Sequence, residues 1–297
     1  MYADLAVFSD TDTVTETVAA IRLLCLPRGR VRIFVPEGSR DIDRERFLLA
    51  ESAGNGVHVS LASLDPATVG YQAATRIAPS CQAISVIRPD GAPLGLGVLE
   101  RTLLKCSPVP VWFWNSRSTA ELGIVVAGDP DPQDARRDGL NQDAVDLAAD
   151  LALRARGTVV IANGWQLDGE HDLRFSPFLR VTEQEVETLR EDIQTARARW
   201  IGDLAARCRA RGVAVQTELR EGPADRVIPV LLAESKASVL VVGTMKRRGF
   251  AALVRPNTGV RLASGFSGTI AVVPPRDSAI ETGGGRLSRI AAGVAFA

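Results

Sequence analysis

Strand-length apolar runs alternate with helix-length segments along this chain, and the alternation completes the same plan twice. The first set is Leu5–Phe8, Val31–Val35, Val57–Leu61, Ala83–Ile87 and Val109–Phe113. The second is Leu122–Ala127, Thr158–Ala162, Val213–Thr217, Ser238–Val242 and Ile270–Val273. Runs of four to six residues are too short for helices and suit strands buried on both faces. The gaps between them are too long for hairpins, so each connection is a crossover and each sheet is parallel. The spacing predicts an α/β chain of two tandem, doubly wound, five-stranded parallel-sheet domains, an internal duplication.

Helical signals fill the gaps. Asp12 or Thr13 caps a helix carrying Val14, Val18, Ile21 and Leu24, and Pro27 and Gly29 are expected to stop it. Asp41–Ala53 is a second helix, Asp65-Pro66 opens a third because proline suits a first helical turn, and Leu94–Lys105 is a fourth. In the second set Asn141–Arg156 and Ala224–Ser235 are helical, and Thr182-x-x-Glu185 forms a capping box that launches a long helix to about Arg211. Residues 165–181 are an insertion without counterpart in the first set, and its Phe175, Phe178 and Leu179 offer either a surface for a protein partner or a cover for a pocket. Asn115–Thr119 is a polar linker. The expected domains are therefore 1–116 and 119–277, with the glycine-rich 278–297 as a flexible tail.

Composition narrows the function classes. Thirty-five basic residues balance thirty-five acidic ones, so no net field steers the chain toward nucleic acid or an anionic membrane. The segment Met1-Tyr-Ala-Asp-Leu5 lacks a basic stretch followed by an apolar run, and a cytoplasmic location is expected. Cys25, Cys81, Cys106 and Cys208 are widely spaced and read as buried, reduced thiols, not as a zinc or redox motif. His58 and His171 have no nucleophile motif beside them, and no Gly-x-Ser-x-Gly, His-Glu-x-x-His or Walker loop occurs. Asp10, Asp12 and Asp65 superficially suggest a receiver-type acidic pocket. Helix capping explains Asp12 and Asp65 more simply, and no lysine follows the fifth strand. No catalytic or metal-ligating residue is nominated.

One loop points to a ligand class. After the strand ending at Val242, the chain reads Gly243-Thr-Met-Lys-Arg-Arg-Gly-Phe-Ala-Ala-Leu-Val-Arg-Pro256-Asn-Thr258, the layout of a phosphate loop short of glycine. Val242-Gly-Thr244 with Asn257-Thr258, Asn163-Gly-Trp165, the 175–186 run and Val227-Ile-Pro-Val-Leu231 resemble the universal stress protein family, specifically its tandem E-type members, over about residues 120–276. The first unit matches mainly in element order and in Glu100 to Val111. The resemblance implies an adenine nucleotide alpha hydrolase-like fold in which fifth strands pair antiparallel across the pseudo-twofold, here Val109–Phe113 with Ile270–Val273. Trp112, Phe113 and Trp114 would then lie at the contact between domains.

Nucleotide-binding relatives carry Gly-x-x-Gly, nine residues, then Gly-Ser. The matching positions here are Gly243, Lys246, Pro256 and Asn257, so one of three glycines survives and a proline removes an amide donor. Gly128, Asp129, Gly164, Gly243, Thr244, Lys246, Asn257 and Thr258 are the candidate ligand residues, with Asp129 placed where the family contacts ribose or base. Lys246, Arg247, Arg248 and Arg255 add cations that hold a phosphate or form a solvated loop. Arg88-Pro-Asp-Gly-Ala-Pro93 occupies the equivalent place in the first unit, with Gly95 and Gly97 out of phase, and no cofactor is expected there. The implied function is a non-enzymatic stress-response module, regulatory or protein-binding, with residual or lost ATP binding in the second domain. A slow ATPase is the rival, and a homodimer the default assembly.

Overall fold

The computed structural model of the chain describes residues 1–9, 13–37, 56–89, 95–115, 122–130, 134–176, 178–179, 181–244 and 258–275. The strands are β1 (Tyr2–Phe8), β2 (Cys25–Pro36), β3 (His58–Leu64), β4 (Ala83–Ile87), β5 (Val111–Trp114), β6 (Gly123–Ala127), β7 (Thr158–Trp165), β8 (Val215–Glu221), β9 (Val239–Gly243) and β10 (Thr269–Val273). Described helices are α1 (Val14–Leu24), α2 (Val69–Gln72), α3 (Val98–Cys106), α4 (Ala135–Ala155), α5 (Glu170–Phe175), α6 (Glu183–Ala210), α7 (Ala224–Glu234) and α8 (Thr258–Gly265).

All ten strands join one sheet in the order β3-β2-β1-β4-β5-β10-β9-β6-β7-β8. Read inward from either edge, each half runs third, second, first, fourth, fifth, so the halves mirror one another about the sheet centre. Every neighbouring pair is parallel except β5 and β10, which pair antiparallel with Phe113 opposite Ile270, Trp112 opposite Ala271 and Val111 opposite Val272. The expected fifth-strand pairing is thus present. It removes two edges that would otherwise offer unpaired backbone to other chains.

Central strands are buried from end to end: every residue of β4, β5 and β10 is buried. Such strands need helices on both faces. On one face α1, α4 and α6 pack over Leu5, Ile33, Trp112, Ile124 and Ala271; on the other α2, α3 and α7 pack over Ala6, Ile84, Phe113, Val125 and Ile270. Alternation along β5 sends Trp112 and Trp114 to the first core and Val111 and Phe113 to the second. Each core therefore runs through both halves. The Trp112 indole N–H also donates to the Tyr2 phenol at 3.2 Å, and burial pushes that phenol's pKa far up. Across α4, the Arg154 guanidinium donates to the carbonyls of Arg22 and Cys25, a polar link between the halves.

Several boundaries depart from expectation for local reasons. Pro27 and Gly29 do not end α1; the helix stops at Leu24 and β2 has already begun, so both residues lie in a strand. The pairing of Tyr2 with Cys25 is followed by a register shift before Asp4 pairs with Arg30, which places these two residues in an irregular stretch. Thr13 precedes α1 without capping it; its hydroxyl meets Ser9 at 2.9 Å instead. Helix α4 begins at Ala135 instead of Asn141, because the Asp134 carboxylate accepts from the Arg136 N–H at 3.0 Å and caps it there. Asp65-Pro66 opens a turn, with α2 starting only at Val69 and continuing as a π-turn over Ala73–Ile77. The capping box is present: Thr182 accepts from the Glu185 N–H at 3.2 Å while the Glu185 carboxylate accepts from the Thr182 N–H at 2.7 Å. Cys25 and Cys208 are buried as expected, but Cys106 is exposed at the end of α3. The proposed Asp41–Ala53 helix, Asp10, Asp12, the 116–119 part of the linker and the 278–297 tail lie outside the described residues.

Candidate functional site

Register fixes the site. Ala127 at the end of β6 pairs with Ala162 of β7 on one side and Val242 of β9 on the other. The next residues, Gly128, Asn163 and Gly243, thus stand side by side at the carboxyl ends of three parallel strands. This is the point where strand order reverses, the usual ligand position in doubly wound sheets.

The backbone amides here are committed to the fold. The Gly128 N–H donates to Ala162 at 3.1 Å, the Asp129 N–H to the Asn141 side chain at 3.3 Å, and the Thr244 N–H to Val273 at 2.9 Å. The Asn141 amide returns a bond to the Asp129 carbonyl at 3.0 Å, and the Asn163 amide donates to the Gly128 carbonyl at 2.8 Å. Gly128 and Asp129, just after β6, are thus held by two side-chain amides. Asn163 is buried, and its side-chain carbonyl oxygen has no hydrogen-bond partner among the described residues.

Side chains close over the glycines. A methyl group on Gly128 would come within 2.6 Å of the Trp200 ring of α6, and one on Gly243 within 2.6 Å of Leu140 of α4. Real contacts of that kind essentially never fall below 3.0 Å. Both glycines therefore have a packing reason to be glycine, independent of any phosphate. Gly164 has one too: a methyl there would lie 2.9 Å from Ala224 and from the Gly222 carbonyl, where β7 passes the β8–α7 turn.

Asp129 is 70% exposed and held by two guanidiniums, Arg137 at 3.0 Å and Arg197 at 3.6 Å. Thr244 is buried, and Thr258 is the first residue of α8. The structure thus brings Gly128, Asp129, Gly243 and Thr244 to one corner, with Gly164 one residue beyond Asn163. Lys246, Asn257 and the basic residues Arg247, Arg248 and Arg255 lie outside the described residues. Sequence reasoning missed Asn141, Arg137, Arg197 and Trp200. Asn141 carried a signal: it stands among Leu140, Ala144, Val145 and Ala148 on the buried side of α4, where a polar residue needs a partner.

The described corner does not fit a triphosphate held by main-chain donors. Its strand-end amides are spent, its glycine surfaces are covered, and its carboxylate is neutralised by arginine. Among the described residues no three His, Cys, Asp or Glu side chains are placed to hold a metal ion.

The insertion is tied down by charge. Glu170 of α5 accepts from Arg174 at 2.8 Å and from Arg190 of α6 at 2.9 Å, Arg174 also reaches Glu183, and Arg190 reaches Glu221 of β8 at 2.7 Å. The Arg174 hydrogen bond, then that of Arg190, holds the Glu170 carboxyl below the usual range. Arg190 also lies over the Trp165 ring at 5.8 Å. These anchors leave Phe175, Phe178 and Leu179 exposed, Phe178 at 91%.

A family model described as the universal stress protein family matches residues 132–274. Over that segment, just under half of its length, this chain is similar to the universal stress protein family. The match begins beyond Asp129, so it covers α4 to β10 but neither β6 nor the Asp129 turn. Likeness to solved structures extends over both halves of the chain. A functionally unknown protein of Pseudomonas aeruginosa PAO1 is 20% identical with a TM-score of 0.66, over 93% of this chain and 95% of that one. A putative universal stress protein of Pseudomonas aeruginosa UCBPP-PA14 is 21% identical with a TM-score of 0.66, over 94% and 95%. A universal stress protein of Archaeoglobus fulgidus is 15% identical with a TM-score of 0.57, over 92% and 97%. At such identities the likeness is one of fold. No curated protein matches the chain. Among the described residues no helix is long and apolar enough to cross a membrane.

Proposed function

We propose that this chain is a universal stress protein and a non-enzymatic module of the stress response, regulatory or protein-binding, whose second half has lost the family's triphosphate cradle. At most it keeps weak affinity there for an adenine nucleotide or another anion. The carrying observation is the commitment of the Gly128, Asp129 and Thr244 amides to the fold, together with the guanidinium clamp on Asp129. An anion nest works only when several N–H groups are free to converge on the ligand. A slow ATPase would also need a carboxylate free to hold magnesium, and Asp129 is paired. Arg137 and Arg197 keep the corner cationic, which supports point-charge attraction of a phosphate without a specific cradle.

The exposed Phe175, Phe178 and Leu179, on an insertion fastened by ion pairs, support a role in binding an unidentified protein. A cytoplasmic location, a homodimer and domains at 1–116 and 119–277 belong to the same proposal. Thermal melts of the whole chain with ATP, AMP and inorganic phosphate, with and without magnesium, test it. Expected is no stabilisation, or a small salt-sensitive one shared by all three anions and lost in Lys246→Ala. ATP-selective stabilisation, or magnesium-dependent release of ADP, would overturn it.

A further inference from the structure

The first half has its own cavity at the corresponding strand ends, and its chemistry is opposite. About 200 Å³ of space opens at the carboxyl ends of β1 to β4, walled by Phe8, Phe34, Leu64, Val69, Val86 and Leu99. The Phe8 and Phe34 rings stack at 5.2 Å and form one wall. Helices α2 and α3 supply Val69 and Leu99 from the opposite side. Among the described residues one polar side chain, Ser9, reaches the lining, and its hydroxyl is bonded to those of Thr13 and Thr17 at 2.9 and 2.7 Å. Arg88, the cation at the end of β4, is buried against Glu100 at 3.3 Å and donates to the Gly95 carbonyl. It is therefore not offered to an anion.

We propose that this cavity is a binding site for a small, uncharged, apolar molecule, with one- or two-ring aromatics as the best-fitting class. Size and charge decide the class together. A dry apolar cavity of about 150 Å³ holds benzene, whereas pockets for drug-sized ligands run from roughly 300 Å³ upward. Among the described residues the lining offers no cation, so a nucleotide's phosphates would lose water there without compensation. The place at the first strand's reversal point is the ligand position of the fold, here rebuilt for a different chemistry.

Methyl-labelled full-length chain titrated with indole, with toluene and separately with ATP tests the assignment. Indole or toluene should shift the methyl signals of Leu64, Val69 and Leu99 in a saturable manner, and ATP should leave them in place. Val69→Phe and Leu99→Phe fill the space from two different helices, and each should weaken binding roughly tenfold or more. Absence of any saturable shift in the unmodified chain overturns the proposal. So does undiminished binding in either folded filled variant, or an ATP response at the same methyls.

Discussion

If the two halves are one body because a continuous core runs beneath β5 and β10, removing the Trp112 side chain must damage both. Trp112 has no exposed surface, its backbone pairs with Ala271, and its indole N–H is bonded to Tyr2. Trp112→Ala leaves the antiparallel backbone pairing intact, so its effect isolates the side chain. Replacing a buried tryptophan by alanine costs about 3–5 kcal/mol. Since about 1 kcal/mol moves a domain of 150–250 residues by roughly 2–4 °C, the melting temperature should fall by about 6–20 °C. Trp112→Phe keeps most of the ring but abandons the Tyr2 oxygen, and should cost about 1–3 kcal/mol. Trp112→Asp adds a buried carboxylate and should exceed both. The assay is urea denaturation followed by circular dichroism, alongside protease resistance of the chain between β5 and β6. A change below about 1 kcal/mol for Trp112→Ala, with unchanged protease resistance, would refute the shared core as the source of union.

Gly243→Ala should cost about 1–3 kcal/mol through its clash with Leu140, and Leu140→Ala in the same chain should recover part of the loss; equal costs in both backgrounds would return Gly243 to a ligand role. Among the thiols, Cys106 should react first with a disulfide reagent at pH 8, since it alone is exposed, and Cys106→Ser should remove the fast phase. Cys81 should react slowly, because burial, opposed by Arg32, pushes its pKa up to about 11; a fast phase surviving in Cys106→Ser contradicts this. Glu170 has a lowered folded pKa, so its contribution to holding α5 is fully present above the ordinary carboxylate pKa of about 4.3 and is lost as pH falls through the folded value. Near-ultraviolet dichroism of Trp165, which lies under Arg190, should follow that loss, and Glu170→Gln should flatten the transition.

Much of the architecture was legible because strand burial writes itself into continuous apolar runs. Ala83–Ile87 matches β4 residue for residue, and the aromatic β5 announced its place at the centre of the sheet. Helix starts were less legible. Asp134, not Asn141, decides where α4 begins, and Pro27 and Gly29 proved compatible with an irregular strand. At the site, the glycine pattern nominated Gly128, Gly164 and Gly243 as ligand residues, whereas the structure shows a close packing neighbour at each. Trp200 and Leu140 arrive from helices remote or separate in sequence, and no spacing rule connects them to the strand ends. The apolar cavity of the first half was hidden for the same reason: its lining comes from four strand ends and two helices, each contributing one to three ordinary residues.

The most direct test of a lost cradle is the melting temperature of the whole chain at 1 mM magnesium ATP. A retained site with Kd of about 10 µM would stabilise by about 2.7 kcal/mol and raise the transition by roughly 5–10 °C. The account predicts a shift of less than about 1 °C, no larger than that given by phosphate at equal ionic strength. A rise of several degrees specific to ATP would contradict it.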